Sequence, residues 1–128
     1  MAVRSYQDLE VWQKGMDLAK MIYDVTQKYP REEVYGLTSQ IRRASVSVPS
    51  NIAEGQGRNS TKEFLHHLSI AYGSLCEVET QLLLSERLGY VEPSRVEETT
   101  ALCQTVGRLL NGLMRSLRTK LSPPSAVP

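Results

Sequence analysis

Residues 40–58 read QIRRASVSVPSNIAEGQGR, and no other segment is as informative about the architecture of this chain. At helical spacing the segment separates into two faces. The apolar face, which begins one turn earlier, comprises Leu37, Ile41, Ala44, Val48 and Ile52. The polar face comprises Gln40, Arg43, Ser47, Asn51, Glu54 and Arg58. Two such faces predict a helix that packs in its own bundle on one side and can contact a neighbour on the other.

Pro49 lies inside this helical pattern. A proline there removes one backbone hydrogen bond, and its ring clashes with the carbonyl of Ser45. Because the apolar face keeps its phase across the proline, we expect a kink at Pro49 and not a break. Gly55 and Gly57 are expected to end the helix.

Three further amphipathic patterns accompany this helix. The first is expected from about Gln7 to Lys28, and Tyr29–Pro30 ends it because the residue before a proline disfavours helical geometry. Pro30 is expected to begin the second helix, which then runs to about Glu54 or Gly55.

The last two helices have clear start signals. The sequence Ser60-Thr61-Lys62-Glu63 is a capping box that opens the third helix, and Gly89 closes it. Pro93 begins the fourth helix. No alternating strand pattern occurs, so the chain is predicted to be all-α, an antiparallel up-down-up-down four-helix bundle with long helices. The bundle is expected to occupy residues 1–121 as a single domain, with a disordered Pro- and Ser-rich tail over residues 122–128.

The composition is that of an ordinary soluble protein. The chain has 128 residues, 41% of them hydrophobic and 23% charged, and a net charge of +1, so neither nucleic acid nor membrane is indicated by bulk charge. The N-terminus lacks the apolar run of a signal peptide, and no segment predicts a membrane span. Cys76 and Cys103 fit no metal spacing and are expected to be free thiols, although a disulfide between them stays open. These features favour the cytoplasm.

Positive charge is concentrated near the C-terminus, where no Asp or Glu follows Glu98. Such residues can contact phosphates, and repetition in an oligomer would multiply the charge. They can also simply complement the negative end of the helix macrodipole. The candidate nucleic-acid-binding residues are Arg42, Lys62, Arg108, Arg115, Arg118 and Lys120.

The polar face of residues 40–58 also allows two interpretations. It can be structural or form an oligomer interface, with Glu54 and Arg58 paired one turn apart and Arg43 bonded to a neighbouring helix or subunit. It can instead bind an anionic partner. The alternation of glutamate and arginine favours the first interpretation.

No catalytic or metal site is legible in the sequence. Glu63 and His66 have the Glu-x-x-His spacing of di-iron bundles, but such a centre needs a second copy and two more glutamates, and the only other histidine is His67. No serine or cysteine has a recognisable histidine–carboxylate partner set. The chain is therefore predicted to use no metal or cofactor and not to be an enzyme. Core or interface packing is expected for the aromatic residues Trp12, Tyr23, Tyr35, Phe64 and Tyr72.

Four segments carry a resemblance to a known family. They are YQDLEVWQKGMDLA, TQKYPREEVYGLTSQIRRASVSVPSNIAEGQGR, KEFLHHLSIAYGSLCEVETQL and the LGY of residues 88–90. Together they cover the chain from Tyr6 to about Tyr90, and they resemble the bacterial proteins encoded in intervening sequences of 23S ribosomal RNA genes.

The resemblance implies a cytosolic four-helix bundle that assembles into a homopentameric ring and has no enzymatic activity. Relatives include the accessory proteins of diversity-generating retroelements, which partner a reverse transcriptase and bind nucleic acid through basic surfaces. The leading hypothesis is therefore a homo-oligomeric scaffold or binding module for nucleic acid or a nucleic-acid enzyme. The alternative is a structural protein-interaction oligomer with no affinity for nucleic acid.

Overall fold

The structure is a computed structural model that describes residues 5–121. It contains the helices α1 (Glu10–Thr26), α2 (Leu37–Gln56), α3 (Thr61–Arg87) and α4 (Pro93–Leu121). Short 3-10 turns, Tyr6–Asp8 and Arg31–Glu33, precede α1 and α2. Residues 5–121 include no strand. The predicted tail over residues 122–128 lies outside the described residues.

The four helices form a closed bundle. α1 packs against α2 and α4, and α3 packs against α2 and α4. Short connections make consecutive helices antiparallel, so the architecture is the predicted up-down-up-down four-helix bundle. One end of the bundle brings the start of α1 and α3 together with the end of α2 and α4.

Inward-facing side chains at three- and four-residue steps fill the core. Each fully buried leucine, isoleucine or valine contributes about 1.5–3 kcal/mol through removal of apolar surface from water. The largest fully buried side chains are Leu18, Ile22, Ile41, Val48, Ile52, Leu68, Leu75, Val78, Leu82, Thr99, Val106 and Leu110.

The first helix is shorter than predicted. It begins at Glu10 and not at Gln7, because Ser5 Oγ accepts a hydrogen bond from the Gln7 amide and closes a separate 3-10 turn. Leu9 then has an extended backbone (φ −79°, ψ 126°), which separates that turn from α1. The helix ends at Thr26, two residues before the predicted end.

The predicted start of the second helix at Pro30 is wrong. Residues Arg31–Glu33 form only a 3-10 turn, and α2 begins at Leu37. Glu33 explains the later start, since its Oε1 accepts from the Leu37 amide at 3.0 Å and satisfies a free N–H of the first turn. Its Oε2 accepts from the Tyr90 hydroxyl at 2.9 Å. The bonds from Leu37 and then Tyr90 hold the pKa of Glu33 below its usual value.

α2 continues through Pro49 without a break, as predicted. Pro49 is buried opposite Gly15 of α1, where an added Cβ would lie 3.5 Å from the Pro49 Cβ. The helix ends at Gln56 with Gly57 as its cap, so Gly57 stops it as expected. Gly55 does not stop the helix, because it is buried within the last turn against α3.

The predicted boundaries of the last two helices are confirmed. Ser60 Oγ accepts from the Glu63 amide at 3.1 Å and caps α3. Gly89 has a positive φ of 80°, a conformation that glycine adopts without steric cost, and it lies just beyond the end of α3. Pro93 is the first residue of α4.

Candidate interaction surfaces

The predicted polar face of α2 lies along its contact with α3. We call this line of contacts the polar seam, formed by Gln40, Ser47, Asn51 and Glu54 of α2 with His67, Ser74 and Gln81 of α3. The hydroxyls of Ser47 and Ser74 are 2.7 Å apart. Gln81 Nε2 donates to Gln40 Oε1 at 3.4 Å. The seam therefore joins two helices of one chain.

Asn51 is the most connected residue of the polar seam. Its Nδ2 donates to the carbonyl oxygen and the hydroxyl of Ser47, both at 3.0 Å. Its Oδ1 lies 3.1 Å from His67 Nδ1. Because the amide nitrogen already donates to Ser47, Oδ1 accepts, and the proton of this bond is on His67 Nδ1.

Glu54 and Arg58 close one end of the polar seam. Arg58 donates to Glu54 Oε2 at 2.8 Å, and its guanidinium is 3.7 Å from Glu63. The bond from Arg58 and the nearby His67 lower the pKa of Glu54. The pair Glu54–Arg58 predicted from the i, i+4 spacing is confirmed. Both side chains are about half exposed, so the pair stabilises the fold only weakly.

Arg43 differs from the other residues of the predicted polar face, which belong to the polar seam or, as Arg58 does, pair with one of its members. It is exposed and lines a shallow groove of about 250 Å³ beside Ser47, Glu77 and Gln81. No ion pair or hydrogen bond joins its guanidinium to another described residue. The other residues of the face bond within the chain, which agrees with the structural interpretation, whereas an interface role for Arg43 stays a prediction.

Replacing Asn51 by alanine is expected to lower the free energy of unfolding by about 1–2 kcal/mol, because it removes the bonds that Asn51 donates to Ser47 and accepts from His67 in a partly buried position. Urea unfolding at fixed protein concentration measures this change. Ser50→Ala, an exposed position on the same helix, is the matched control and is expected to change stability by less than about 0.5 kcal/mol. Equal stabilities for the two variants would show that the seam is energetically unimportant.

A second surface follows the outer side of α4. Arg108, Arg115 and Arg118 are all exposed and none of them forms an ion pair with a described residue. We call them, with the exposed Gln104 one turn before Arg108 and the exposed Asn111 between Arg108 and Arg115, the basic face. Arg108 to Arg118 spans about 15 Å along the helix. No carboxylate of residues 99–121 neutralises this face.

The other predicted basic residues lie apart from the basic face. Arg42 is half-buried; its Nε donates to Thr26 Oγ1 at 2.8 Å and its guanidinium lies 4.5 Å from the centre of the Tyr23 ring. These contacts give Arg42 a structural role between α1 and α2. Lys62 and Lys120 are exposed at the end of the bundle that holds the start of α3 and the end of α4.

The outer side of α3 is a surface that the sequence interpretation missed. Between His66 and Leu84 the exposed residues of α3 carry one formal charge, that of Glu77. Ile70, Leu83 and Leu84 are 40%, 49% and 46% exposed there. We call this side the α3 outer face. In the sequence, the α3 segment has more apolar residues than one buried stripe of a helix needs, and this excess was the signal of a second apolar surface.

Within residues 5–121, no group of three or more His, Cys, Asp or Glu side chains could hold a metal ion. The prediction of free thiols is confirmed, with Cys76 exposed and Cys103 buried. Burial, followed by the charge of Glu79, raises the pKa of Cys103 to about 12, so this thiol is not a reactive thiolate at neutral pH.

None of the helices in residues 5–121 combines the length and the apolar character that a membrane span requires.

The fold over residues 5–121 defines a class of small all-helical four-helix bundle proteins. The chain belongs to the 23S rRNA-intervening sequence protein family, whose pattern it matches over residues 7–112. A solved structure from Bacteroides thetaiotaomicron, described as a protein with unknown function from the S23 ribosomal protein family, has the same fold. It is 23% identical, with a TM-score of 0.75 over 82% of this chain and 95% of that chain. No curated protein sequence matches this chain.

Proposed function

We propose that this chain is a non-enzymatic, self-assembling scaffold of the cytoplasm that binds nucleic acid through the basic face of α4. The observation that carries the proposal is the alignment of Arg108, Arg115 and Arg118, exposed and without acidic partners, on one side of one helix. Arginine contacts phosphates without a specialised fold, and the neighbouring Gln104 and Asn111 add hydrogen-bonding groups.

Self-assembly is supported by the α3 outer face. Exposed leucine and isoleucine side chains on a helix surface that carries only the charge of Glu77 are costly to leave in water, and a second copy of the chain presents the same largely apolar surface. We propose that copies associate through this face, in a homopentameric ring as the family resemblance implies. A ring would repeat the basic face once in each protomer and strengthen binding to a long nucleic acid.

The proposal is tested by a mobility shift of labelled single-stranded RNA or DNA by the full chain at two salt concentrations. With three phosphate contacts in each protomer, affinity is expected to fall by about 20-fold between about 50 mM and about 200 mM salt. The absence of a shift at the lower salt, or an affinity that salt does not change, would contradict phosphate binding.

The second candidate function is a protein-interaction oligomer with no affinity for nucleic acid, including one that partners a nucleic-acid enzyme. The α3 outer face favours it, because the face accounts for assembly without any role for α4. Light scattering that shows an oligomer, together with no mobility shift, would support this candidate over the first.

A further inference from the structure

A groove between α3 and α4 borders the basic face. It has a volume of about 330 Å³ and is lined by Tyr72, Leu75, Glu79, Cys103, Gln104, Gly107, Arg108 and Asn111. Pockets that hold small organic groups begin at roughly this volume. We call it the tyrosine groove, because Tyr72 is its only aromatic residue.

Tyr72 departs from the expected core packing. The side chain is 37% exposed, and one of the α4 residues that face it across the groove is a glycine, Gly107. A Cβ added at Gly107 would lie 4.0 Å from Tyr72 Cε1 and 3.4 Å from Leu75 Cδ2. A side chain at Gly107 would meet this edge of the ring, so its absence leaves the exposed part of the Tyr72 ring uncovered on the α4 side.

No hydrogen bond or ion pair joins polar side chains across the tyrosine groove among the described residues. Glu79 takes part in no ion pair or hydrogen bond with another described residue, and the same is true of Gln104 and Asn111. Arg108 bonds only Thr105 of its own helix, at 3.4 Å. A carboxylate and two amides are the groups that pair with the amino and carbonyl edges of nucleobases.

We propose that the tyrosine groove binds one unpaired nucleobase of a single-stranded nucleic acid. The base stacks on Tyr72, its edge bonds to Glu79, Gln104 or Asn111, and the neighbouring phosphates contact Arg108 and Arg115. The inference rests on the proposed function and narrows the partner from nucleic acid in general to single-stranded nucleic acid. A base held in a duplex is already paired and stacked and cannot enter the groove. The carboxylate of Glu79 repels phosphate. The part of the groove beside Glu79 therefore holds the base and not the phosphate backbone of the nucleic acid.

The test compares binding of the full chain to a short labelled single-stranded oligonucleotide, to an abasic strand with the same number of phosphates, and to the duplex. Fluorescence anisotropy at about 50 mM salt is the readout. The intact strand is expected to bind about 5- to 100-fold more tightly than the abasic strand, the range for stacking of a base on an aromatic ring. Matched DNA and RNA strands show which sugar is preferred, and a base-dependent gain with either strand supports the proposal.

Variants separate stacking from charge. Tyr72→Leu is expected to remove the advantage of the intact over the abasic strand and to leave the salt dependence unchanged, whereas Tyr72→Phe retains the advantage. Tyr35→Leu, at a residue that is 96% exposed in the loop before α2, is the control. Gly107→Leu fills the groove without altering charge, and its urea unfolding, measured alongside, shows whether a loss of base-dependent binding comes from the filled groove or from a less stable bundle.

Two results would overturn the inference in distinguishable ways. Equal binding of the intact and abasic strands would reject the base site while leaving phosphate binding by the basic face intact. A Tyr72→Leu variant that keeps the full preference for the intact strand would do the same. Failure of the unmodified chain to bind any strand would reject the proposed function and the base site together.

Discussion

Replacing Arg108, Arg115 and Arg118 together by glutamine is expected to weaken binding to single-stranded nucleic acid on the order of 100-fold at low salt. The three guanidiniums are exposed, lie on one side of α4 and have no carboxylate partner among the described residues. Each lost phosphate contact removes about 1 kcal/mol at low salt. Loss of three contacts also reduces the slope of log affinity against log salt concentration, by about two per protomer for single strands.

The control variant removes the same charge from another side of the bundle. Lys20, Lys28 and Arg31 are exposed near the end of α1 and in the loop after it, and their replacement by glutamine also takes away three positive charges. It is expected to reduce affinity less than about fivefold, since these residues act only through the long-range field. Equal losses in the two variants would show that net charge, and not the basic face, controls binding.

Replacing Gly55 by valine is expected to destabilise the fold by about 3 kcal/mol or more. A Cβ at this position would lie 2.7 Å from His67 Cβ and 2.9 Å from Phe64 Cδ1, with the Phe64 carbonyl oxygen at 3.3 Å. His67 Cβ and the carbonyl are fixed close to the backbone of α3, so α2 and α3 must separate to relieve the overlap. The separation also pulls His67 away from Asn51 and disrupts the polar seam.

Thermal or urea unfolding at one protein concentration measures the effect of Gly55→Val. Gly112→Ala is the comparison, because a Cβ at Gly112 meets no atom within 4 Å and alanine is a better helix former. That variant is expected to be more stable than the unmodified chain by about 0.5–1 kcal/mol. Little destabilisation by Gly55→Val would mean that α2 and α3 are less closely packed than the structure shows.

The bundle was predictable because helical periodicity and local end signals agree along most of the chain. Ser60, Gly89 and Pro93 act through neighbouring residues, and each boundary they predicted is confirmed. The start of α2 depends on Glu33, which also contacts Tyr90, a residue 57 positions away along the chain. A pattern of neighbouring residues carries no information about such a contact. The sequence therefore led to the wrong prediction that α2 begins at Pro30.

The candidate surfaces were predictable only in part. The spacing from Gln40 to Arg58 located the polar face of α2, but its partners His67 and Ser74 on α3 could be identified only from the packing of the two helices. α3 is apolar on more than one side, so periodicity could not tell the buried Leu82 from the exposed Leu83. For the same reason Tyr72 was assigned to packing although it lines an open groove.

Sedimentation velocity of the full chain with a labelled single-stranded oligonucleotide, at low and at high salt, tests self-assembly and nucleic-acid binding in one experiment. We expect a species heavier than the 14.4 kDa monomer at both salt concentrations, with the oligonucleotide co-sedimenting at low salt and released at high salt. A 14.4 kDa monomer at micromolar concentration, with the oligonucleotide sedimenting alone at low salt, would contradict both self-assembly and nucleic-acid binding.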